Sequence, residues 1–129
     1  MATRRVLIVD DEPYILHILA FKLRRAGYTA LEATSSEEAL AILAETPVHC
    51  IVLDVSLATP TSGFELAERL AGDPRTCRIP IIFLTARSLP QDVRRGRELQ
   101  ARAYITKPFS LQAVLEEVAR QLDAAGQGA

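Results

Sequence analysis

The sequence has few of the features that mark membrane, secreted or metal-stapled proteins. Its apolar runs, such as Val6–Val9 and Ile79–Leu84, are far shorter than the roughly 18 residues of a membrane-spanning helix. The first residues lack the long apolar segment of a secretion signal. Cys50 and Cys77 lie far apart and outside any CxxC spacing, so neither a zinc site nor a disulfide framework is supported. We therefore expect free thiols, a cytoplasmic location and no membrane partner.

An excess of positive charge is also missing. The chain has 15 Lys and Arg against 16 Asp and Glu, for a net charge of −1. Because affinity for phosphate backbones comes largely from Lys and Arg, we expect no direct nucleic-acid partner. The balance conceals a segregation: residues 1–70 carry 6 basic and 10 acidic side chains, and residues 86–107 carry 6 basic and 2 acidic ones. This predicts an acidic region from the first three strands and a basic stretch around the fourth helix.

The sequence does contain a regular alternation of strand-length apolar runs and helical segments. The 129 residues fit one domain, and the alternation predicts a parallel sheet with helices on both faces. The predicted strands are Val6–Val9, Thr29–Ala33, Cys50–Leu53, Ile81–Leu84 and Ala103–Thr106. The predicted helices are Pro13–Ala26, Ser35–Glu45, Phe64–Ala71, a fourth over residues 90–100, and Ser110–Leu122. We assign residues 1–123 to the domain and 124–129 to a flexible tail.

The fourth predicted helix is unusual because its inner face is thinly apolar. That face is expected to carry Leu89, Val93, Gly96 and Gln100. A glycine in a helix interior costs on the order of 1 kcal/mol relative to alanine. We therefore expect this helix to be the least stable element of the domain.

Polar residues follow each strong strand at once. They are Asp10, Asp11 and Glu12 after the first strand, Asp54 after the third, Thr85 after the fourth and Lys107 after the fifth. Ligands of open parallel sheets bind at the carboxyl ends of the strands. Two carboxylates about 4 Å apart repel by roughly 4 kcal/mol at an effective dielectric constant of about 20, and a hard divalent cation such as Mg²⁺ offsets this. With a lysine and a hydroxyl added, the set predicts a phosphoryl-binding site in which a carboxylate can become an aspartyl phosphate.

Four motifs, in this order and at this spacing, resemble the receiver domains of two-component response regulators, the CheY-like family. They are VLIVDDE (Val6–Glu12), IVLD (Ile51–Asp54), PIIFLTA (Pro80–Ala86) and AYITKPF (Ala103–Phe109). The resemblance covers about residues 4 to 122. It implies a flavodoxin-like, doubly wound sheet of five parallel strands in the order 2-1-3-4-5 with five helices.

The resemblance assigns roles around a phosphoryl group. It implies that Asp54 is the phosphoacceptor, that Lys107 pairs with the phosphoryl group and that Thr85 is the switch hydroxyl. Tyr104 is implied as the switch aromatic residue, and the Lys107–Pro108 peptide bond as cis.

The resemblance also implies a Mg²⁺ site beside the phosphoacceptor. Asp11 is expected to be a direct ligand, together with Asp54 and the backbone carbonyl of Ser56. Asp10 is expected to support the metal through water. Ser56 and Arg87 would flank the phosphoryl group and tune its lifetime.

The implied function is a switch, not an enzyme with turnover. A histidine kinase or phosphotransfer protein would donate the phosphoryl group to Asp54, and the helix 4–strand 5–helix 5 surface would change for a downstream protein partner. Arg94, Arg95 and Arg97 lie on that surface, as a solvated face or as a partner contact. Only 22 residues follow Lys107, so we expect output through a separate protein, whether the chain stands alone or is part of a longer regulator.

The sequence departs from the family pattern after the third strand. Leu57-Ala58 stands where the family has Met-Pro, and Gly63 is the ninth residue after Asp54 instead of the eighth. The loop Val55–Ser62 is therefore expected to be about one residue longer. Gln100 replaces the glycine usual near the end of helix 4, which must then be capped in another way.

Three other functions compete with the switch. A small aspartate-nucleophile phosphatase would need a second Asp as general acid, which Asp54-Val55-Ser56 lacks. A degenerate receiver that binds partners without phosphorylation is disfavoured by the complete set of acidic, lysine and threonine residues. A nucleotide- or flavin-binding domain is disfavoured because no glycine-rich loop follows the first strand.

Overall fold

In the computed structural model, which describes residues 3–57, 62–86, 89–99 and 101–127 and side chains as far as 123, strands and helices alternate along the chain. The strands are β1 (Arg5–Val9), β2 (Thr29–Ala33), β3 (Cys50–Leu53), β4 (Ile81–Thr85) and β5 (Ala103–Thr106). The helices are α1 (Pro13–Arg25), α2 (Ser36–Glu45), α3 (Gly63–Ala71), α4 (Pro90–Glu98) and α5 (Leu111–Gln127). The predicted elements are confirmed, with small shifts at their ends.

The strands form one parallel sheet in the order β2-β1-β3-β4-β5, which confirms the prediction. Val9 at the end of β1 pairs with Leu53 at the end of β3, and Leu53 pairs with Phe83 on β4. Thr85 at the end of β4 pairs with Thr106 at the end of β5. The register therefore brings the polar residues after the strands to one edge.

The sheet is covered on both faces, so its central strands are buried at nearly every position. Along β1, Val6 and Ile8 face the layer of α1 and α5, whereas Leu7 and Val9 face the layer of α2 and α3. β3 and β4 are buried at every position. A fully buried aliphatic side chain contributes roughly 1.5–3 kcal/mol, and this double core holds the edge that carries the polar residues.

The start of α2 carries a capping box in a slightly altered form. Ser35 Oγ accepts a hydrogen bond from the Glu38 backbone N–H at 3.1 Å. The Glu38 carboxylate accepts from the backbone N–H of Thr34, at 2.6 Å, and from its hydroxyl group. These hydrogen bonds lower the pKa of Glu38. The carboxylate thus reaches one residue further back than the usual box.

The prediction of which residues form the inner face of α4 is partly wrong. Leu89 is the N-cap residue and is 57% exposed, whereas Asp92 and Gly96 are the buried residues of the helix. Leu89 precedes Pro90 in an extended conformation, so it lies outside the helix and does not follow its periodicity. Arg95, from the predicted basic cluster, pairs with Glu68 on α3, which ties the two helices together.

The last helix is longer than predicted. It continues to Gln127, beyond the expected end near Leu122, because Ala124 and Ala125 have the highest intrinsic helix propensity and no breaker precedes them. The helical backbone thus includes most of the segment predicted as a tail. Among the described residues, no helix combines the length and hydropathy needed to cross a membrane. Both cysteines are free, and burial raises the pKa of the Cys50 thiol to about 12.

Candidate phosphoacceptor site

The site begins where β1 and β3 end. The Asp54 backbone N–H donates to the Val9 carbonyl at 2.9 Å, and the Asp10 N–H donates to the Ala33 carbonyl at 3.1 Å. The sheet ladder thus continues one residue past the strands and places the two aspartates side by side. Asp10 is 2% exposed and Asp54 3% exposed. Both carboxylates are therefore buried at the edge of the sheet where the strands end.

Gly63 packs directly against the backbone of Asp54. The Gly63 N–H donates to the Val55 carbonyl at 2.9 Å. A Cβ at Gly63 would lie 2.2 Å from the Asp54 carbonyl oxygen and 2.8 Å from Val55 Cα. Only glycine therefore lets α3 begin directly against the end of β3. The sequence marked Gly63 as a loop-length feature only, because this contact depends on the packing of α3.

The Asp54 carboxylate has a fixed orientation. Its Oδ1 accepts a hydrogen bond from the Ser56 backbone N–H at 3.0 Å, which forms a local Asx turn. Its Oδ2 lies 3.2 Å from Lys107 Nζ. Since the two oxygens have different partners, the side chain cannot rotate without losing both.

Lys107 joins three carboxylates. Its Nζ lies 2.9 Å from Glu12 Oε1, 3.0 Å from Asp10 Oδ2 and 3.2 Å from Asp54 Oδ2, and its side chain is 14% exposed. Burial lowers the pKa of Lys107, but the hydrogen bonds with the two nearer carboxylates and the charge of the third outweigh burial, and the pKa is raised. The side chain is therefore a permanent ammonium group at the centre of the site.

Glu12 is a site residue for which neither the sequence pattern nor the family resemblance predicts a specific role. It is the N-cap residue of α1, yet its side chain makes no cap hydrogen bond and reaches Lys107 instead. Its position directly after Asp10 and Asp11 was the available signal. The pairing itself depends on a residue 95 positions away and could not be deduced from the local pattern.

The carboxylates form a cluster of a kind that holds a hard metal ion. One ligand oxygen from each of four residues lies within 4.8 Å of the others; the residues are Asp10, Asp11, Glu12 and Asp54. Burial raises the pKa of Asp10 to about 6, against the lowering effect of its hydrogen bonds with Glu12 and Lys107. One ammonium group does not balance four carboxylates. The close, all-oxygen donor set and its excess negative charge fit Mg²⁺.

The ends of β4 and β5 complete the edge. Thr85 is fully buried at the end of β4, and its carbonyl accepts from the Lys107 N–H at 2.8 Å. The Lys107–Pro108 peptide bond is cis. Tyr104 is half-buried on β5, with its ring centroid 5.8 Å from that of Phe83. Tyr104 therefore pairs with Phe83 in the strand register and packs against the aromatic core.

Some of the predicted features lie outside the described residues. Arg87 is one, as are Gln100 and residues 58–61 of the loop Val55–Ser62. Ser56 is described and exposed, but the role of its carbonyl as a metal ligand stays a prediction.

The family model of the response regulator receiver domain matches residues 6–119. The chain belongs to this family. Its members are phosphorylation-activated switches of two-component signalling, and a receiver domain accounts for both the parallel sheet and the acidic edge described above.

Curated relatives carry receiver domains within longer proteins. The phosphate regulon transcriptional regulatory protein PhoB of Pseudomonas aeruginosa is 41% identical over 128 residues, which cover 99% of this chain and 56% of the relative. A probable cyclic di-GMP phosphodiesterase of Vibrio cholerae is 38% identical over 106 residues, covering 82% of this chain and 24% of the relative. The chain thus spans about half the length of PhoB and less of the phosphodiesterase.

The solved structure of a CheY-like receiver domain protein from Methanospirillum hungatei agrees with the fold. It superimposes with a TM-score of 0.90 at 26% identity, covering 99% of this chain and 100% of that chain.

Proposed function

We propose that this receiver domain accepts a phosphoryl group on Asp54 from the phosphohistidine of a histidine kinase or phosphotransfer protein, and signals the change to a protein partner. The observation that carries the proposal is the environment of Asp54. Its carboxylate is buried, oriented by the Ser56 N–H and 3.2 Å from the Lys107 ammonium group. A structural aspartate would not need three further carboxylates beside it.

The transfer exchanges one bond for another. An Asp54 oxygen forms a P–O bond while the P–N bond to the donor histidine breaks, and the histidine nitrogen keeps the electron pair and takes up a proton. The Ser56 N–H keeps the carboxylate aimed. Lys107 pairs with the phosphoryl oxygens, and the Thr85 hydroxyl donates to them. These groups stabilise charge on the transferred group.

Asp10, Asp11, Asp54 and the Ser56 carbonyl are the groups that would hold Mg²⁺. When bound, the ion neutralises charge on the phosphoryl oxygens and between the carboxylates. Water hydrolyses the acyl phosphate afterwards, with Ser56 and Arg87 setting its access. The domain promotes its own phosphorylation and its own reset.

The output is a population shift between two packings of one surface. Thr85 moves toward the phosphoryl group, Tyr104 turns inward, and the surface formed by α4, β5 and α5 changes for its partner. The exposed Arg94 and Arg97 give this surface positive charge. We place the domain in the cytoplasm and assign it no nucleic-acid contact of its own. Among the relatives, PhoB is described as a transcriptional regulatory protein.

Intact mass after incubation with acetyl phosphate and Mg²⁺ tests the proposal. We expect one phosphoryl adduct on the unsubstituted chain and on Asp123→Ala, which alters an exposed aspartate on α5. We expect no adduct on Asp54→Ala. An adduct that persists in Asp54→Ala would show that another residue accepts the phosphoryl group. Failure of the unsubstituted chain to form any adduct would favour the phosphorylation-independent binding module.

A further inference from the structure

The ring of Tyr104 occupies space that exists only because α4 carries a glycine. A Cβ at Gly96 would lie 2.7 Å from Tyr104 Cδ2 and 3.1 Å from Cε2, and 3.4 Å from Phe83 Cδ2. In real proteins a Cβ is essentially never found within 3.0 Å of a heavy atom outside its own residue and that residue's chain neighbours. Any side chain at position 96 must therefore displace the ring or the helix.

The low helix propensity of glycine disfavours this residue at position 96. Gly96 lies inside α4, where glycine is the least favourable residue after proline. Its φ is not in the left-handed region, so the backbone does not require glycine either. Gly72 shows the contrast: its nearest contacts for an added Cβ are at 3.7 Å. Close packing against the Tyr104 ring is what Gly96 provides.

The same ring belongs to a row of contacts that leads to the phosphoacceptor. The Phe64 and Phe83 centroids are 5.2 Å apart in an edge-to-face arrangement, and those of Phe83 and Tyr104 are 5.8 Å apart. Phe64 follows Gly63, which contacts the Asp54 backbone. The ring also lines a groove of about 300 Å³ between α4 and β5, with Val93 and Gly96 among the lining residues. A shift of the ring therefore changes the shape of that groove.

We propose that Gly96 is the positioning residue for Tyr104: by leaving room for the ring against α4, it sets the balance between the two states of the output surface. This inference rests on the proposed function, in which Tyr104 is the switch residue. It predicts that a methyl group at position 96 moves the domain toward a state with the ring displaced, without touching the phosphoryl site.

Fluorine NMR of the full chain labelled with 3-fluorotyrosine tests the positioning. The three tyrosines give three signals, and Tyr104→Phe assigns the one of interest. We expect the Tyr104 signal of the unsubstituted chain to shift when Mg²⁺ and beryllofluoride are added. In Gly96→Ala the signal is expected to be displaced before the addition and to change by less than half as much upon it. Gly72→Ala is the matched control and should behave as the unsubstituted chain.

The two failures are distinguishable. If the unsubstituted chain shows no Tyr104 response to beryllofluoride, the proposed function fails, and the ligand-free spectra still test whether Gly96→Ala displaces the ring. If the unsubstituted chain responds and Gly96→Ala has the same signal and response, the positioning role of Gly96 is overturned.

A double substitution keeps the test decisive if Gly96→Ala folds poorly. In the Tyr104→Ala background the ring is gone, so Gly96→Ala should raise the melting temperature through helix propensity alone. In the unsubstituted background it should not. An equal rise in both backgrounds would show that the ring does not occupy the space at Gly96. Failure of Tyr104→Ala to restore folding to a misfolded Gly96→Ala variant would show the same.

Discussion

Lys107 Nζ lies closer to Glu12 than to Asp54, at 2.9 Å against 3.2 Å. The exposed glutamate therefore shares the ammonium group that the proposed transfer needs at the phosphoryl oxygens. Glu12→Gln removes that competitor and one negative charge facing an anionic donor. We expect phosphorylation by acetyl phosphate to become about two- to tenfold faster, a change of up to roughly 1.4 kcal/mol in the barrier. Stopped-flow measurement of the rate provides the check, with the exposed Glu45→Gln as control. An unchanged or slower rate would contradict the competition.

Removal of the ammonium group from the site is expected to destabilise the metal-free domain. Lys107→Met leaves Asp10 and Asp54 buried beside each other with no cation, and breaking such a buried pairing costs about 3–5 kcal/mol. Because Mg²⁺ supplies positive charge, it should restore part of the loss. Urea denaturation with and without Mg²⁺ measures both effects. Lys22→Met, at an exposed position of α1, should change stability little. Equal stability of the two variants without metal would refute the prediction.

Protons and Mg²⁺ should compete at Asp10. Its pKa is raised from 3.8 to about 6, so between these values the metal-free folded state binds more protons than the unfolded chain. The contribution of Asp10 to the free energy of unfolding therefore falls as pH rises through this window. Because metal binding displaces the proton, we expect the apparent Mg²⁺ affinity to fall about tenfold per pH unit below 6. Melting temperatures with and without Mg²⁺ at pH 5 and pH 8 test this. In Asp10→Asn the increase in melting temperature on adding Mg²⁺ should depend less on pH. A larger increase at pH 5 than at pH 8 in the unsubstituted chain would contradict the prediction.

Gly63→Ala should be among the most damaging single-methyl changes in the domain. The added Cβ would meet the Asp54 carbonyl oxygen at 2.2 Å, so backbone must move, and overpacking of this kind costs about 1–3 kcal/mol or more. Phosphorylation should slow as well, since the displaced backbone belongs to Asp54, the proposed phosphoacceptor. Chemical denaturation and acetyl phosphate kinetics measure both. Gly72→Ala, where an added Cβ has ordinary contacts, serves as the control and should be neutral or stabilising. Similar effects of the two substitutions would refute the packing argument.

The strand ends were predictable because strand position and polar residues are local signals. Asp10 and Asp54 each follow an unbroken apolar run, and the parallel register of Val9 with Leu53 brings them together. The order of the strands followed from the family resemblance, since alternation alone fixes a parallel sheet but not its order.

The remaining features depend on packing between distant segments. The ion pair between Lys107 and Glu12 joins residues that lie 95 positions apart in the sequence. The exposure of Leu89 follows from where α4 begins. Periodicity treats every residue of a window as helical, so it misassigned Leu89 and overlooked Asp92.

The bond between the Gly63 N–H and the Val55 carbonyl closes the segment between them at its base. Both ends of that segment are therefore held together beside the end of β3, independently of how many residues separate them. Since the entropy of closing a loop grows only slowly with its length, residues can be inserted or removed here at little thermodynamic cost. The extra residue that the family resemblance implies for this loop would be a variation of this kind. Loop length next to Asp54 is thus open to evolutionary change while the proposed phosphoacceptor stays in place.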